Sequence, residues 1–303
     1  MSLPGQDAQC AKGVSLLNLP LDVVNQVLEK LEPMELLTAR KVCRSLRTSV
    51  DKFGLHFNKI SIYIYDDSIS IFLDGIGVTY SDARNGSSTV TYNAQKTLVD
   101  GVNFMEIASK DLKISLTLNH TSKLEICNKA HNSHIYGTSL FQSFKKCANV
   151  KVLTLIGLKD ILTMLPYFDA ETLENFQLWG ADAIDEQITI LDQWKNAKKF
   201  QLWNSDFDAK FISHLFHFQC FTINTMTEFS IEAMIEIRDD LLRRSTFESC
   251  YIYFNSSNPK ELAKVFNYTG GYPCKIEYNN RFAVELEEST FEPNLFEFCV
   301  KRL

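Results

Sequence analysis

Two pairs of histidines have a spacing that occurs in zinc sites. His131 and His134 are three residues apart, as are His214 and His217, and a single cysteine lies near each pair. Zinc sites usually add a paired-cysteine motif or the glutamate of an H-E-x-x-H helix, and this sequence has neither. On a helix, Cys220 would also drift away in angle from His214. We therefore predict no metal site, and metal analysis of the purified protein tests this.

Other residues with catalytic potential lack the surroundings that the chemistry needs. Asp74-Gly75-Ile76-Gly77 has the glycines of a nucleotide loop but no third glycine and no downstream acid, so we interpret it as a turn. The 8 cysteines are scattered singly, as is typical of small buried hydrophobic residues in a reducing compartment. No nucleophile-elbow, Walker or kinase signature occurs. We predict a non-enzymatic protein without cofactors; a hydrolase or transferase using His214 or a cysteine is a competing hypothesis.

Length and charge narrow the class of protein. The 303 residues fit two or three domains, and 45% hydrophobic content can fill a sizeable core. A formal charge of −6 gives no general attraction to nucleic acid or to anionic lipid. The sequence shows no signal peptide and no apolar run of about 18–20 residues. We expect an intracellular protein, cytoplasmic and/or nuclear, that binds neither nucleic acid nor membrane.

The elements that precede residue 55 form an amphipathic helical segment. Apolar residues recur in steps of three and four, at Val23, Val24, Val27, Leu28 and Leu31. Pro33 ends that helix, and a second apolar set runs from Met34 to Val50. About 35 residues cannot bury every apolar face alone, so a partner is expected to cover one of them.

This segment resembles an F-box, in which Leu-Pro, paired aliphatics, a proline turn and Val-Cys follow in that order. The resemblance implies a three-helix motif that packs on a Skp-type adaptor. Carried over by position, the expected contact or supporting residues are Leu19, Pro20, Val24, Val27, Leu28, Leu31, Leu36, Val42 and Cys43. Many F-boxes have Trp where this chain has Leu46, which could lower the affinity for the adaptor. An ordinary helical hairpin within a larger core is the alternative.

The middle of the chain has the two-residue period of β-strands. β-Branched and aromatic residues alternate with polar ones over 60–64 and again over 68–72. Asp66-Asp67 and Asn85-Gly86 are predicted turns. Residues 113–118 are a further strand candidate. We predict an antiparallel or curved sheet of short strands.

The C-terminal half contains a repeat. Phe176-Gln177-Leu178-Trp179 and Phe200-Gln201-Leu202-Trp203 lie 24 residues apart, and related stretches begin at Leu153 and Phe221. Periods of 20 to 29 residues are typical of leucine-rich-repeat-like solenoids, in which strand–helix units stack into a parallel sheet. Helices are predicted over 159–168, 184–196 and 210–218.

This half is similar to the FTH domain that follows the F-box in the nematode F-box A family. The similarity spans about Ser139 to Phe266, and Gln193-Trp194-Lys195-Asn196-Ala197-Lys198 is its most specific part. It implies target recognition by this domain without defining the residues. Trp179 and Trp203 occupy the same place in their units, so we expect them on the concave face as tentative target-binding residues. Insertions or a neighbouring helix covering them is the alternative.

Together these patterns predict an α+β protein with an α/β repeat. A three-helix F-box at 15–55 is followed by a strand-rich span at 56–138 and a curved, leucine-rich-repeat-like FTH domain at 139–270. Residues 1–14 are expected to be flexible and 271–303 to form an extension. The implied function is a substrate-recruiting adaptor of a Skp–cullin–F-box ubiquitin ligase, which binds Skp, and through it cullin, as well as an unknown protein target. A repeat scaffold that tethers partners without ligase assembly is the alternative.

Overall fold

The computed structural model separates the chain into two compact units. It describes residues 20–83, 86–117, 121–131, 136–141, 144, 148–159, 161–180, 186–204, 206–226, 229–255, 259–270, 273–289 and 295–303. Residues 1–56 form one unit, the helical unit, and residues 57–303 form the other, the sheet unit.

The helical unit contains three short helices in its described part. They are α1 (Leu21–Leu28), α2 (Pro33–Val42) and α3 (Arg44–Phe53). Pro33 is the first residue of α2, where the missing N–H has no intrahelical partner to lose. The Glu35 carboxylate accepts a 2.9 Å hydrogen bond from the backbone N–H of Glu32, which caps the same helix. The chain turns at Cys43, and α3 packs against both other helices.

The described residues of the sheet unit form one mixed sheet of fourteen strands. Its order is β12-β13-β14-β11-β10-β9-β8-β7-β6-β1-β2-β3-β4-β5. The strands are β1 (Lys59–Ile64), β2 (Ser68–Leu73), β3 (Ile76–Asp82), β4 (Ser88–Tyr92), β5 (Gln95–Val99), β6 (Thr121–Asn128), β7 (Val150–Ile156), β8 (Asn175–Trp179), β9 (Lys199–Trp203), β10 (Cys220–Met226), β11 (Ser249–Asn255), β12 (Cys274–Tyr278), β13 (Phe282–Glu288) and β14 (Leu295–Arg302). The seven central strands, from β11 to β1, are parallel, and both ends are antiparallel. The segment expected to be a C-terminal extension thus contributes three strands.

A left-handed residue follows three successive strands of the repeat. Gly157, Gly180 and Asn204 have φ values of 64°, 59° and 51°. The N–H of Gly157 donates to the carbonyl of Trp179, and that of Gly180 to the carbonyl of Trp203, both at 2.9 Å. A Cβ at Gly157 would lie 2.8 Å from the backbone oxygen of Asn128, so glycine is required there. The repeat read from the sequence is therefore also a repeat of backbone conformation.

Short helices cover the face of the sheet that carries the repeat phenylalanines. The α-helices after α3 are α4 (Phe104–Thr117), α5 (Tyr136–Phe141), α6 (Ile161–Met164), α7 (Asp192–Asn196), α8 (Ile231–Asp239) and α9 (Pro259–Lys264). Leu165–Tyr167, Glu186–Ile190, Ala209–Leu215 and Leu241–Arg243 are 3-10 helices. In their described residues, the three segments predicted as helices between repeat strands thus consist of short α- and 3-10 helices. Their side chains still close the core: Phe200 is fully buried and contacts Trp194 and Phe218.

The strand predicted over 113–118 is wrong, because residues 104–117 form the helix α4. Phe104, Ala108, Leu112 and Leu116 recur every fourth residue and are buried, so helical periodicity dominates. The alternation of Ile114 with polar neighbours coincided with this longer pattern. Leu118 and the predicted turn residue Asn85 lie outside the described residues.

Candidate functional site

The helical unit exposes part of its apolar surface. Val27 is 36% exposed and Val42 is 70% exposed, and Pro20 is exposed as well. The other residues predicted to contact or support an adaptor are either buried (Val24, Leu28 and Leu36) or partly exposed (Leu31 and Cys43), and Leu19 lies outside the described residues. The predicted set therefore divides into side chains that a partner can reach and side chains that hold the helices.

Two polar contacts fix the position of α3. The Cys43 Sγ atom accepts a 3.5 Å hydrogen bond from the backbone N–H of Leu46 at the start of the helix. Arg40 on α2 and Asp51 on α3 form an ion pair with a shortest distance of 2.6 Å. Cys43 therefore caps a helix as well as lying next to the exposed Val42.

Sequence reasoning placed Val23 on the apolar stripe but did not select it as a contact residue. Val23 is 38% exposed and lies one helical turn before Val27, so the two side chains are neighbours on the surface of α1. The four-residue spacing of the two valines in the sequence could have indicated that they lie side by side on the helix. Family position had instead selected Val24 along with Val27 as a contact or supporting residue, and Val24 is buried.

A row of mostly large side chains crosses the other face of the sheet, opposite the repeat phenylalanines. Strand pairing places Tyr63 beside Cys127, Cys127 beside Ile156, Ile156 beside Trp179, and Trp179 beside Trp203. Successive residues of a strand point to opposite faces, so these positions alternate with the core residues. We call this line of residues, on β1, β6, β7, β8 and β9, the aromatic row. At its β1 end, a shallow pocket is lined by Lys59, Ser61, Tyr63, Tyr65, Phe72 and Gly75.

The two tryptophans stack in the aromatic row. Their ring centroids are 5.1 Å apart with an interplanar angle of 18°, and both side chains are partly exposed. Trp179 and Trp203 therefore lie on the open face of the sheet rather than in the helix-covered core, and the concave shape expected of that face stays a prediction. Stacked, partly exposed indoles with N–H groups suit a protein-binding surface.

Polar side chains line the next row along the same face. The Thr154 hydroxyl donates a 3.0 Å hydrogen bond to Oε1 of Gln177, and the Trp203 Nε1 donates a 3.3 Å bond to Oε1 of Gln201. Gln177 and Gln201 are register partners on β8 and β9. These contacts orient the glutamine amides and one of the indoles, so the polar row supports the aromatic row.

Comparison with known proteins assigns both units. The F-box domain model matches residues 16–58, and the FTH domain model matches residues 132–269. F-box A protein 224 of Caenorhabditis elegans is 28% identical over 291 residues, which cover 89% of this chain and 72% of that protein. The chain therefore has an F-box domain followed by an FTH domain, and it is similar to an F-box A protein. No solved structure matches it.

The structure gives a setting for the second histidine pair only. His134 lies outside the described residues, and no group of three or more potential ligands occurs among those described. His217 in the FTH domain instead faces two backbone carbonyls, with Nδ1 3.0 Å from the oxygen of His214 and Nε2 2.8 Å from that of Trp194. Burial lowers the pKa of His217, while these two hydrogen bonds act in the opposite direction. The ring connects neighbouring repeats of the FTH domain.

Cysteine environments in the FTH part and beyond do not favour nucleophilic chemistry. Burial raises the pKa of Cys220 and Cys250, and raises that of Cys299 to about 11. A thiol needs a lowered pKa to react as a thiolate near neutral pH, so these three are poor nucleophiles. Asp74-Gly75 is a turn, as predicted, and the Asp74 carboxylate accepts a 2.8 Å hydrogen bond from the N–H of Lys59. Within the described residues, no helix is both long and apolar enough to cross a membrane.

Proposed function

We propose that this F-box protein recruits a protein target to a Skp–cullin ubiquitin ligase and catalyses nothing itself. The F-box would bind the Skp-type adaptor, and through it cullin, while the FTH domain would bind the target. The observation that carries the proposal is the presence of two distinct exposed surfaces, one in each unit. Such an adaptor would act in the cytoplasm and/or the nucleus, where the ligase works.

The adaptor surface is proposed on the exposed valines of the F-box. Val23 and Val27 form a pair on α1, and Val42 ends α2. Covering apolar surface of this kind is favourable by about 25 cal/mol per Å², so exposed valines on a small helical unit suit a permanent or tight partner. Leu28 and Leu36 are buried, so they would support adaptor binding indirectly by holding the helices in place.

The target surface is proposed on the aromatic row of the sheet. Trp179 and Trp203 are its centre, and we infer that the repeat strands curve so that the row lies on a concave, leucine-rich-repeat-like face. Boundaries near residues 15–55 for the F-box and 139–270 for the FTH repeat remain part of this proposal, with residues 56–138 supplying the first strands. Tryptophan is enriched among residues that dominate binding energy, which supports this location.

Such a protein would promote ubiquitin transfer by proximity. Holding a target beside the charged conjugating enzyme raises the effective concentration of its lysines and needs no active-site residue in the adaptor. The raised pKa values of Cys220 and Cys299 agree with an adaptor that leaves the chemistry of transfer to other subunits. The two surfaces can therefore be tested separately.

A paired set of variants tests the proposal. Val27→Asp with Val42→Asp should reduce co-purification of a Skp-type adaptor at least about tenfold, because a charge would be buried at an apolar contact. Ile190→Asp, a change at a 66% exposed apolar residue of the FTH domain, is the matched control. Trp179→Ala with Trp203→Ala should leave adaptor binding intact and reduce recovery of targets by proximity labelling. Adaptor binding that is absent, or unaffected by the valine changes, would favour the scaffold alternative.

A further inference from the structure

The aromatic row continues into an acidic end. Asn224 follows Ile223, which is the register partner of Leu202, so Asn224 extends the row beyond Trp203. Next come Tyr253 on β11, Glu297 on β14 and Glu287 on β13, each beside the one before. Glu297 is partly exposed and Glu287 is exposed. The same line of side chains thus changes from indole to carboxylate within a few strands.

The two glutamates at this end form an unfavourable pair. Glu287 and Glu297 are directly opposite each other on antiparallel strands, where like charges repel. Desolvation by burial, followed by the charge of Glu287, raises the pKa of Glu297, and the charge of Lys301 and a hydrogen bond from Tyr253 only partly oppose this. A cation placed between the two carboxylates would remove the repulsion.

The neighbouring lysines compensate the charge of this pair only in part. Glu285 is already matched by Lys275 at 2.6 Å. Lys301 lies 5.3 Å from the ring centre of Tyr251 and hydrogen-bonds that residue. Lys301 attracts Glu297 and acts to lower the pKa of its carboxyl, but burial and the charge of Glu287 outweigh this attraction and the pKa stays raised. The row therefore ends in an excess of negative charge.

Hydrogen-bond donors flank the tryptophans. Gln177 and Gln201 each accept a hydrogen bond through Oε1, as described above. In the described part of the chain, their amide nitrogens make no further hydrogen bond. Each NH2 group can donate to an acceptor that approaches the sheet, and the carbonyl groups of an extended peptide are suitable acceptors.

We propose that the occupant of the aromatic row is an extended basic peptide segment of the target. An apolar or proline residue would pack on Trp179 and Trp203, and a lysine or arginine would lie between Glu287 and Glu297. The midpoint between the strands of Trp179 and Trp203 and the midpoint between those of Glu297 and Glu287 are four spacings of about 4.8 Å apart, or about 19 Å, which an extended peptide covers in about six residues. This inference rests on the proposed target-binding role of the FTH domain and adds the chemistry of its ligand.

Synthetic peptides test the spacing and the charge together. The probes are fluorescein-labelled 12-residue Gly/Ser peptides with a Leu-Pro anchor and one arginine, placed one to seven positions away on either side. Fluorescence polarisation with the full-length protein should show the tightest binding at a spacing of about six. Replacing that arginine by glutamine should weaken binding about tenfold, and added salt should reduce the difference.

Matched protein variants assign the effect to the row. Glu287→Gln with Glu297→Gln should abolish the preference for arginine over glutamine while leaving binding of the anchor. Glu232→Gln with Glu236→Gln removes the same charge from exposed positions on α8. This control should leave the preference for arginine over glutamine unchanged. Trp179→Ala with Trp203→Ala should abolish binding of every peptide.

Several outcomes would overturn this inference. One is equal binding of the arginine and glutamine peptides, and another is tighter binding of a glutamate peptide than of either. A third is a preference for arginine that persists in the Glu287/Glu297 variant. A fourth is absence of binding by every peptide, which would indicate that the target presents a folded surface. None of these contradicts the proposed function if target recovery in cells still depends on the tryptophans. Loss of that dependence would instead defeat the target-binding role itself.

Discussion

The F-box and the FTH domain build their exposed surfaces in different ways. In the F-box, Val23 and Val27 are neighbours because they are one turn apart on a single helix. Trp179 and Trp203 are 24 residues apart and meet only because β8 and β9 pair in register. A surface made by local spacing can be read from a short motif. A surface made by strand register can change its chemistry at each strand, while the alternate core residues stay the same.

The two regions also differ in what stabilises them. The F-box helices have 8 to 10 residues each and depend on a few buried aliphatic residues, one cysteine cap and one ion pair. The FTH repeat has a continuous aromatic core in which Phe176 contacts Phe200, and Phe200 contacts Phe218. We therefore expect single changes to have their largest effect in the sheet.

Phe200→Ala should produce the largest loss of stability. Phe200 is fully buried between two repeats, and truncating such a phenylalanine costs about 3–5 kcal/mol because a cavity remains. Urea denaturation followed by tryptophan fluorescence measures this change. All 3 tryptophans of the chain lie in the sheet unit, so the signal reports that unit alone.

Gln201→Ala is the control for the other face of the same strand. Gln201 is partly exposed and is next to Phe200 in sequence, so its truncation should cost less than about 1 kcal/mol. Equal losses for the two variants would contradict the assignment of one core face and one open face.

The sequence predicted one part of this architecture better than the other, for physical reasons. The helix break at Pro33 and the positions of β7, β8 and β9 follow from local periodicity and are found in the structure. The strand predicted over 113–118 was wrong because a six-residue window cannot separate alternation from part of a 14-residue helix.

The acidic end of the aromatic row could not be predicted from the sequence. Glu297 lies 94 residues from Trp203, and only the order β9-β10-β11-β14 brings them to one face. No short sequence pattern predicts that β14 pairs with β11 in the antiparallel direction. In the F-box, by contrast, the four-residue spacing of Val23 and Val27 was a local signal that the two side chains share a face.

The link between repeats at His217 should make the stability of the FTH domain depend on pH. Burial lowers the pKa of His217 in the folded protein, whereas the unfolded chain binds a proton near the ordinary pKa of about 6.5. The unfolded state then holds more protons at acid pH, so the free energy of unfolding should fall as the pH drops below about 6.5. Urea denaturation by tryptophan fluorescence between pH 5 and pH 8, roughly the range over which histidine titrates, measures this dependence.

His217→Gln is the comparison for that experiment, since glutamine keeps a donor for one backbone carbonyl but does not titrate. The variant should be less stable at neutral pH and should lose part of the acid-induced decrease. An identical pH dependence in both proteins would assign the decrease to other groups. The F-box lacks an equivalent buried histidine in its described residues. A pH dependence of stability from this source is therefore expected in the FTH domain and not in the F-box.

The smallest effect is expected from the ion pair of the F-box. Arg40→Met keeps the apolar stem of the side chain but removes its charge from Asp51. Because both side chains are partly solvated, we expect a loss of about 0.2–1 kcal/mol, which would speed amide hydrogen exchange over residues 33–53 by less than about fivefold. Mass spectrometry of the exchanged peptides measures it, and Lys110→Met, which removes a more exposed ion pair from α4, is the control. Exchange that speeds up tenfold or more, together with loss of adaptor binding, would show that the F-box depends on one polar contact rather than on its buried aliphatic residues.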